Sequence, residues 1–139
     1  MPSSYIENSS INILNFKKSV RLATTENIIL NGSKNIDGIF ADIGTRVLVK
    51  DQNNKEENGI YVVRSGDWTR SDDANNSLKL SSASIILVEE GYFNNNTIWR
   101  LITPNPIVLG ITELFFLRLI TEGIQGLQGL QGTQGTQGS

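Results

Sequence analysis

The sequence predicts an all-β chain: a small antiparallel β-sandwich or barrel, followed by a collagen-like triple-helical tail. Three observations carry this expectation. Short stretches alternate apolar and polar residues between clusters of Gly, Asn and Asp, which is the period of a strand with one buried face. No stretch of useful length repeats its apolar residues at helical spacing. From Gly123 to Gly138, glycine returns at every third position. The chain accordingly divides into an extended N-terminal arm over 1–17, an antiparallel β domain over 18–120 and a Gly-x-Gln stalk over 121–139.

Residues 1–17 alternate small polar residues with apolar anchors at Tyr5, Ile6, Ile11, Ile13, Leu14 and Phe16. Such a segment is too apolar for a solvated tail and too short to bury itself. It reads either as an arm that docks on a partner or neighbouring subunit, or as a first strand of its own domain.

The β text begins at Val20. Val20, Leu22 and Thr24 alternate with Arg21, Ala23 and Thr25, and Ile28-Ile29-Leu30 runs into the turn Asn31-Gly32. Ile36-Asp37-Gly38-Ile39-Phe40 follows. In Arg46-Val-Leu-Val-Lys50, Val47 and Val49 take one face and Arg46, Leu48 and Lys50 the other, predicting one buried and one half-wet face. The clearest hairpin is Ile60 to Arg70 about Ser65-Gly66. A two-residue loop there opposes Arg64 to Asp67 and Val63 to Trp68, buries Trp68 beside Tyr61 and Val63, and demands a positive φ at Gly66. A second hairpin joins Ile85–Val88 to Thr97–Ile102 around residues 89–96.

The last strand, Leu114–Ile120, is apolar on both faces except at Arg118. One face should pack on its own domain and the other on something else. Two residues later the glycine triplets begin. In a collagen helix three polyproline-II-like chains wind together and only glycine fits at the crowded axis, so the period implies a homotrimer. The triplets lack proline and would extend only roughly 50 Å, so a folded trimeric domain or further repeats must set their register. The plainer alternative is a flexible Gly/Gln-rich linker or a disordered tail. The residues expected in the trimer contact are Leu114, Phe116 and Ile120, with Gly123, Gly126, Gly129, Gly132, Gly135 and Gly138 on the axis.

Composition narrows the chemistry. Among 139 residues, cysteine and histidine are absent, which removes disulfides, thiolate and imidazole metal sites and nucleophile–His arrangements. The net charge of −2 is scattered, so no basic stripe points to nucleic acid, and no apolar run has the length of a membrane span. The start, Met1-Pro-Ser-Ser-Tyr5, is polar rather than signal-peptide-like. No cofactor is expected.

The set Val20–Ile28, Asn31-Gly32, Ile36–Gly38, Gly44–Gln52 and Glu57–Val63, continued by Gly66–Arg70, Asp73-Ala74, Asn96-Thr97, Trp99 and Leu109–Leu114, is connected in order and spacing. It resembles a domain of tail-fibre and related fibre proteins of tailed bacteriophages, often found beside collagen-like repeats. The likeness spans roughly residues 19–117 and departs from the pattern at Thr45, where an acidic residue is expected beside Arg46. It implies a virion structural protein and carries no catalytic residues. On this expectation the arm is a virion anchor that grips other virion proteins of the tail, the portal-proximal region or the capsid.

Other chemistries weigh less. The pairs Asp72-Asp73 and Glu89-Glu90 could in principle cleave glycosidic bonds, but adjacent strand residues point apart and both pairs sit at loops. Asp51-x-Asn53-x-Lys55 begins like a calcium loop but puts lysine at a ligand position. The alternative function is recognition of a host-surface glycan, with Tyr92, Phe93 and Asn95 as the sugar contacts, against a plainer reading in which those aromatics fold back on the core.

Overall fold

A computed structural model describes residues 15–120. Over them the chain is mostly β-strand in small sheets, with helix confined to single 3-10 turns at Lys55–Glu57 and Asp72–Ala74. The strands are β1 (Leu22–Ala23), β2 (Lys34–Ile36), β3 (Ile39–Ala41), β4 (Arg46–Val49), β5 (Gly59–Val62), β6 (Thr69–Arg70), β7 (Ile85–Val88), β8 (Thr97–Leu101) and β9 (Phe116–Leu119). They form a central sheet in the order β1-β4-β5-β6, a β2–β3 hairpin and a third sheet in the order β7-β8-β9. All pairs are antiparallel except β1–β4.

The central sheet carries core on both faces. Leu48 and Ile60 pack with Ile86, Leu101 and Leu114 in one apolar cluster; Val47 and Val49 pack with Leu22, Tyr61, Val63 and Trp68 in the other. The alternation expected along β4 holds, and its second face is half-wet only at its ends: Arg46 and Lys50 are half-buried, while Leu48 between them is 0% exposed. The third sheet covers one side and the β2–β3 hairpin, through Ile36 and Ala41, covers the other. The same double cover explains β1. Its expected alternation does not leave one side wet, because Leu22 enters one cluster and Ala23 the other.

The hairpin from β5 to β6 has the expected register, Tyr61↔Arg70 and Val62↔Thr69, and buries Trp68 with Tyr61 and Val63. Its turn differs. Gly66 is not among the residues with positive φ, and the ladder does not continue through Val63 and Trp68. Residues 30–32 compete for the backbone: Trp68 N–H donates to the Leu30 carbonyl at 2.9 Å and Gly32 N–H to the Gly66 carbonyl at 3.0 Å. Arg64 and Asp67 therefore do not pair. Arg64 Nε donates to Thr69 Oγ1, and Asp67 Oδ1 accepts from Asn31 Nδ2. The two-residue tight turn is found instead between β2 and β3. There Ile36 faces Ile39 across Asp37 (φ 50°) and Gly38 (φ 80°), both in the left-handed region that such turns require.

The hairpin of β7 and β8 forms as expected about residues 89–96. Its outer edge is joined by the end of the N-terminal arm and the residues that follow it: Phe16 and Val20 make parallel bridges to Ile85 and Val88. The anchors Tyr5, Ile6, Ile11, Ile13 and Leu14, and the glycines from Gly123 to Gly138, lie outside the described residues.

Candidate functional site

β9 is the element nearest the glycine triplets, and alternation sorts its side chains. Leu114 is fully buried and Phe116 is half-buried, both against the core shared with Leu48 and Leu101. Leu114, expected in a subunit contact, is thus a core residue of its own domain, and Phe116 leans on the same core. Ile120 is 74% exposed at the end of the strand. The opposite parity, Phe115, Leu117 and Leu119, points away from the core.

The register extends that outward face across the whole sheet. Leu87, Ile98 and Leu119 line up as one row, and Ile85, Arg100 and Leu117 as the next. Ile102 and Phe115 continue it, joined by the Ile102 N–H to Phe115 carbonyl bond at 2.9 Å. Phe16, bridged to Ile85 and 63% exposed, extends the second row at the outer edge. Leu87, Ile102, Phe115 and Leu117 are 41–51% exposed, while Ile86, Val88, Thr97 and Leu101 of the inner face are buried. An antiparallel sheet with a solvated face ordinarily alternates apolar-in with polar-out. Here Arg100 is the one charged residue in the two rows. Ile85–Val88 and Leu114–Leu117 are unbroken apolar runs, which signal such a face in the sequence but not its parity.

A second feature is the loop over 91–96. The rings of Tyr92 and Phe93 are 77% and 69% exposed and meet edge-to-face at 4.8 Å between centroids. They do not fold back on the core. The loop is held from beneath by Asp37 at the tip of the β2–β3 turn. Its carboxylate accepts the N–H groups of Phe93 at 2.9 Å and Asn94 at 2.8 Å, and its carbonyl accepts that of Tyr92. Asn94 is buried beneath the pair, while Asn95 is exposed and donates its amide to the Gly91 carbonyl. Gly91 has a φ of 134°, and a Cβ there would lie 2.3 Å from Asp37 Oδ2. Asp-Gly between two isoleucines is a strong hairpin signal, but nothing near Asp37 in the sequence marks it as the support of a distant loop.

Two concavities carry less chemistry. A groove of about 600 Å³ between residues 27–30, 52–57 and 67–68 has Gln52, Glu57 and Trp68 of its lining already paired. Gln52 bonds both backbone groups of Ile28 and the Glu57 carboxylate, and Trp68 Nε1 donates to the Gly32 carbonyl. A cleft of about 390 Å³ beside Lys18, Arg46, Arg64 and Arg70 is likewise committed. Arg46 forms a fork to Asp73 at 3.0 and 3.2 Å and also donates to the carbonyls of Lys18 and Ser19. Burial works to raise the Asp73 pKa, but hydrogen bonds from Arg46 and Ser71, the Arg46 charge and a backbone bond from Lys18 outweigh it and hold the carboxyl below its ordinary range. The charge contact at Arg46 is therefore made to Asp73.

Asp51, first of the calcium-like run, accepts from Thr24 and Lys50. Among the described residues no cluster of three or more acidic side chains could hold a metal ion, and no helix is long and apolar enough to cross a membrane. Comparison with protein-family models, curated proteins and solved structures finds no match to this chain.

Proposed function

We propose that the protein is a structural subunit of a bacteriophage virion fibre. In this reading it is a homotrimer without catalytic activity: a small β-sandwich body attached through residues 1–17 to other virion proteins, with residues 121–139 projecting as a collagen-like stalk. The observation that carries it is the glycine period. Six glycines at a strict period of three begin at Gly123, and only Ile120, Thr121 and Glu122 stand between β9 and the first of them. The resemblance of residues 19–117 to phage fibre domains supports the virion setting.

Sedimentation equilibrium of the full chain tests the assembly, with a trimer expected and a monodisperse monomer overturning it. A collagen-type circular-dichroism band that melts cooperatively, and melts lower in Gly129→Ala, is expected of the stalk. Deleting residues 1–14 should leave a folded trimer that no longer joins the particle; particles carrying the truncated fibre at normal copy number would place attachment elsewhere.

One observation favours a second reading, recognition of a host-surface glycan. Tyr92 and Phe93 present a wet aromatic surface on a loop already held in place by Asp37, beside the exposed amide of Asn95. Aromatic faces with amide groups suit sugar rings. Saccharide titration followed by the Tyr92 and Phe93 resonances tests it, and silence across neutral and acidic sugars would end it.

A further inference from the structure

We infer that the outward face of the β7-β8-β9 sheet is where copies of this chain meet, with Leu117 and Leu119 of each copy packed against the same sheet of its neighbour. The inference rests on the trimeric reading and goes beyond it by naming the surface, which is the reverse of the one that Leu114 occupies.

The tether fixes where this sheet must sit. From Leu119 to Gly123 the chain makes four residue steps, which span at most about 14 Å when fully extended. If three glycines share one axis, three β9 strands end within about that distance of it. Packed sheets lie about 10 Å apart, so the tether permits direct sheet-to-sheet contact. The inner face of β9 is already spent on the domain's own core through Leu114 and Phe116. What remains for a neighbour is the outward parity, which is apolar across all three strands in the row Leu87, Ile98, Leu119.

The distribution of other exposed apolar residues sharpens the choice. Ile29, Leu78 and Ile111 are 76–94% exposed but belong to none of these rows, as is ordinary for a protein surface. Among the described residues, only on the β7-β8-β9 sheet do exposed apolar side chains fall into continuous rows. Arg100, the one charge within those rows, belongs to β8 and so stands one strand spacing, about 5 Å, from β9. A long stem can lie along such a face and carry its charge to the rim.

The test uses the full chain and sedimentation equilibrium. Leu117→Asp should raise the concentration of half-association about tenfold or more, since a charge replaces a buried leucine in every copy. Leu78→Asp, away from the face, should leave it unchanged. Near-ultraviolet dichroism of the buried Trp68 reports that each variant keeps its fold. Because the sequence contains no cysteine, Leu117→Cys adds a single thiol, which should give covalent dimers on oxidation while Leu78→Cys should not. A monomeric wild type would remove the trimeric reading and this inference with it. A trimeric wild type whose Leu117→Asp variant associates equally well, with no cross-link at Leu117→Cys, would overturn the face alone and leave the trimer standing.

Discussion

β4 and β9 read almost alike, Arg-Val-Leu-Val against Phe-Leu-Arg-Leu, yet Leu48 is fully buried and Leu117 is 51% exposed. The difference lies in the layers around them. β4 has a strand on each side, β1 and β5, and apolar cover on both faces. β9 has one neighbouring strand, β8, and core on one face only. A strand apolar on both sides is thus either the middle of a domain or the place where another surface is due. Hydrophobicity alone does not say which; the count of layers does.

Shortening each leucine separates the two strands most widely. Leu48→Ala should cost about 3 kcal/mol of unfolding free energy, because it removes transfer energy and leaves a cavity between two sheets. Urea titration should give that loss at every protein concentration. Leu117→Ala should instead lower stability in a concentration-dependent way, as expected for a residue that acts through association. Equal and concentration-independent losses would mean that β9 is as internal as β4.

The arginines of the two strands offer the next test. Arg46, with its side chain 16% exposed, ties the carbonyls of Lys18 and Ser19 and the Asp73 carboxylate to the central sheet. Arg46→Ala should cost about 2–3 kcal/mol, since it leaves a part-buried carboxylate and two carbonyls without their donor. Arg118, exposed on β9, should lose no more than about 0.5 kcal/mol on the same change. The Asp73 pKa is depressed in the folded state, so its contribution is complete above the ordinary carboxylate pKa of about 4 and is lost as pH falls through the folded value. Stability measured from neutral to acid pH should therefore decline below about pH 4, and Asp73→Asn should flatten part of that decline.

A smaller effect is expected where the hairpin tip holds the aromatic loop. Asp37→Ala removes an acceptor of two backbone N–H groups and should cost about 1–3 kcal/mol, with faster amide exchange confined to Phe93 and Asn94. Gly91→Ala should act in the same direction, because its Cβ would meet the Asp37 carboxylate. If neither change loosens the loop, Tyr92 and Phe93 are not held in place by this clip.

Much of the local structure could be read from the residues. The β7–β8 hairpin, the β5–β6 register, the burial of Trp68 and the alternation along β4 follow from period and turn chemistry. What could not be read was set by long-range packing. The second cover over Leu48 comes from strands some forty to seventy residues away, and nothing near Leu48 announces it. The parity of β9 was equally hidden, because Leu114 to Leu117 are all apolar and Arg118 lies on the core-side parity, past the end of the core. Asp37 depends on a loop that follows it by more than fifty residues, so its role shows only once the chain is folded.

The smallest effect separates two glycines that face each other across the β5–β6 turn. A tight two-residue loop would place Gly66 at positive φ, where valine is resisted by its branched Cβ. In the structure that conformation belongs to Gly32, at φ 75°, while Gly66 lies outside the positive region and a Cβ there would meet nothing within 4 Å. Gly66→Ala should then fall within about 0.5 kcal/mol of the wild type, offset in part by a less flexible unfolded chain. Gly32→Ala should cost about 1 kcal/mol, for backbone strain rather than for lost space, since its nearest contact would be the Ser65 carbonyl at 3.9 Å. Thermal melts of the two variants side by side decide the matter. A loss at Gly66 larger than at Gly32 would restore the tight turn and require the bonds from Trp68 to Leu30 and from Gly32 to Gly66 to be redrawn.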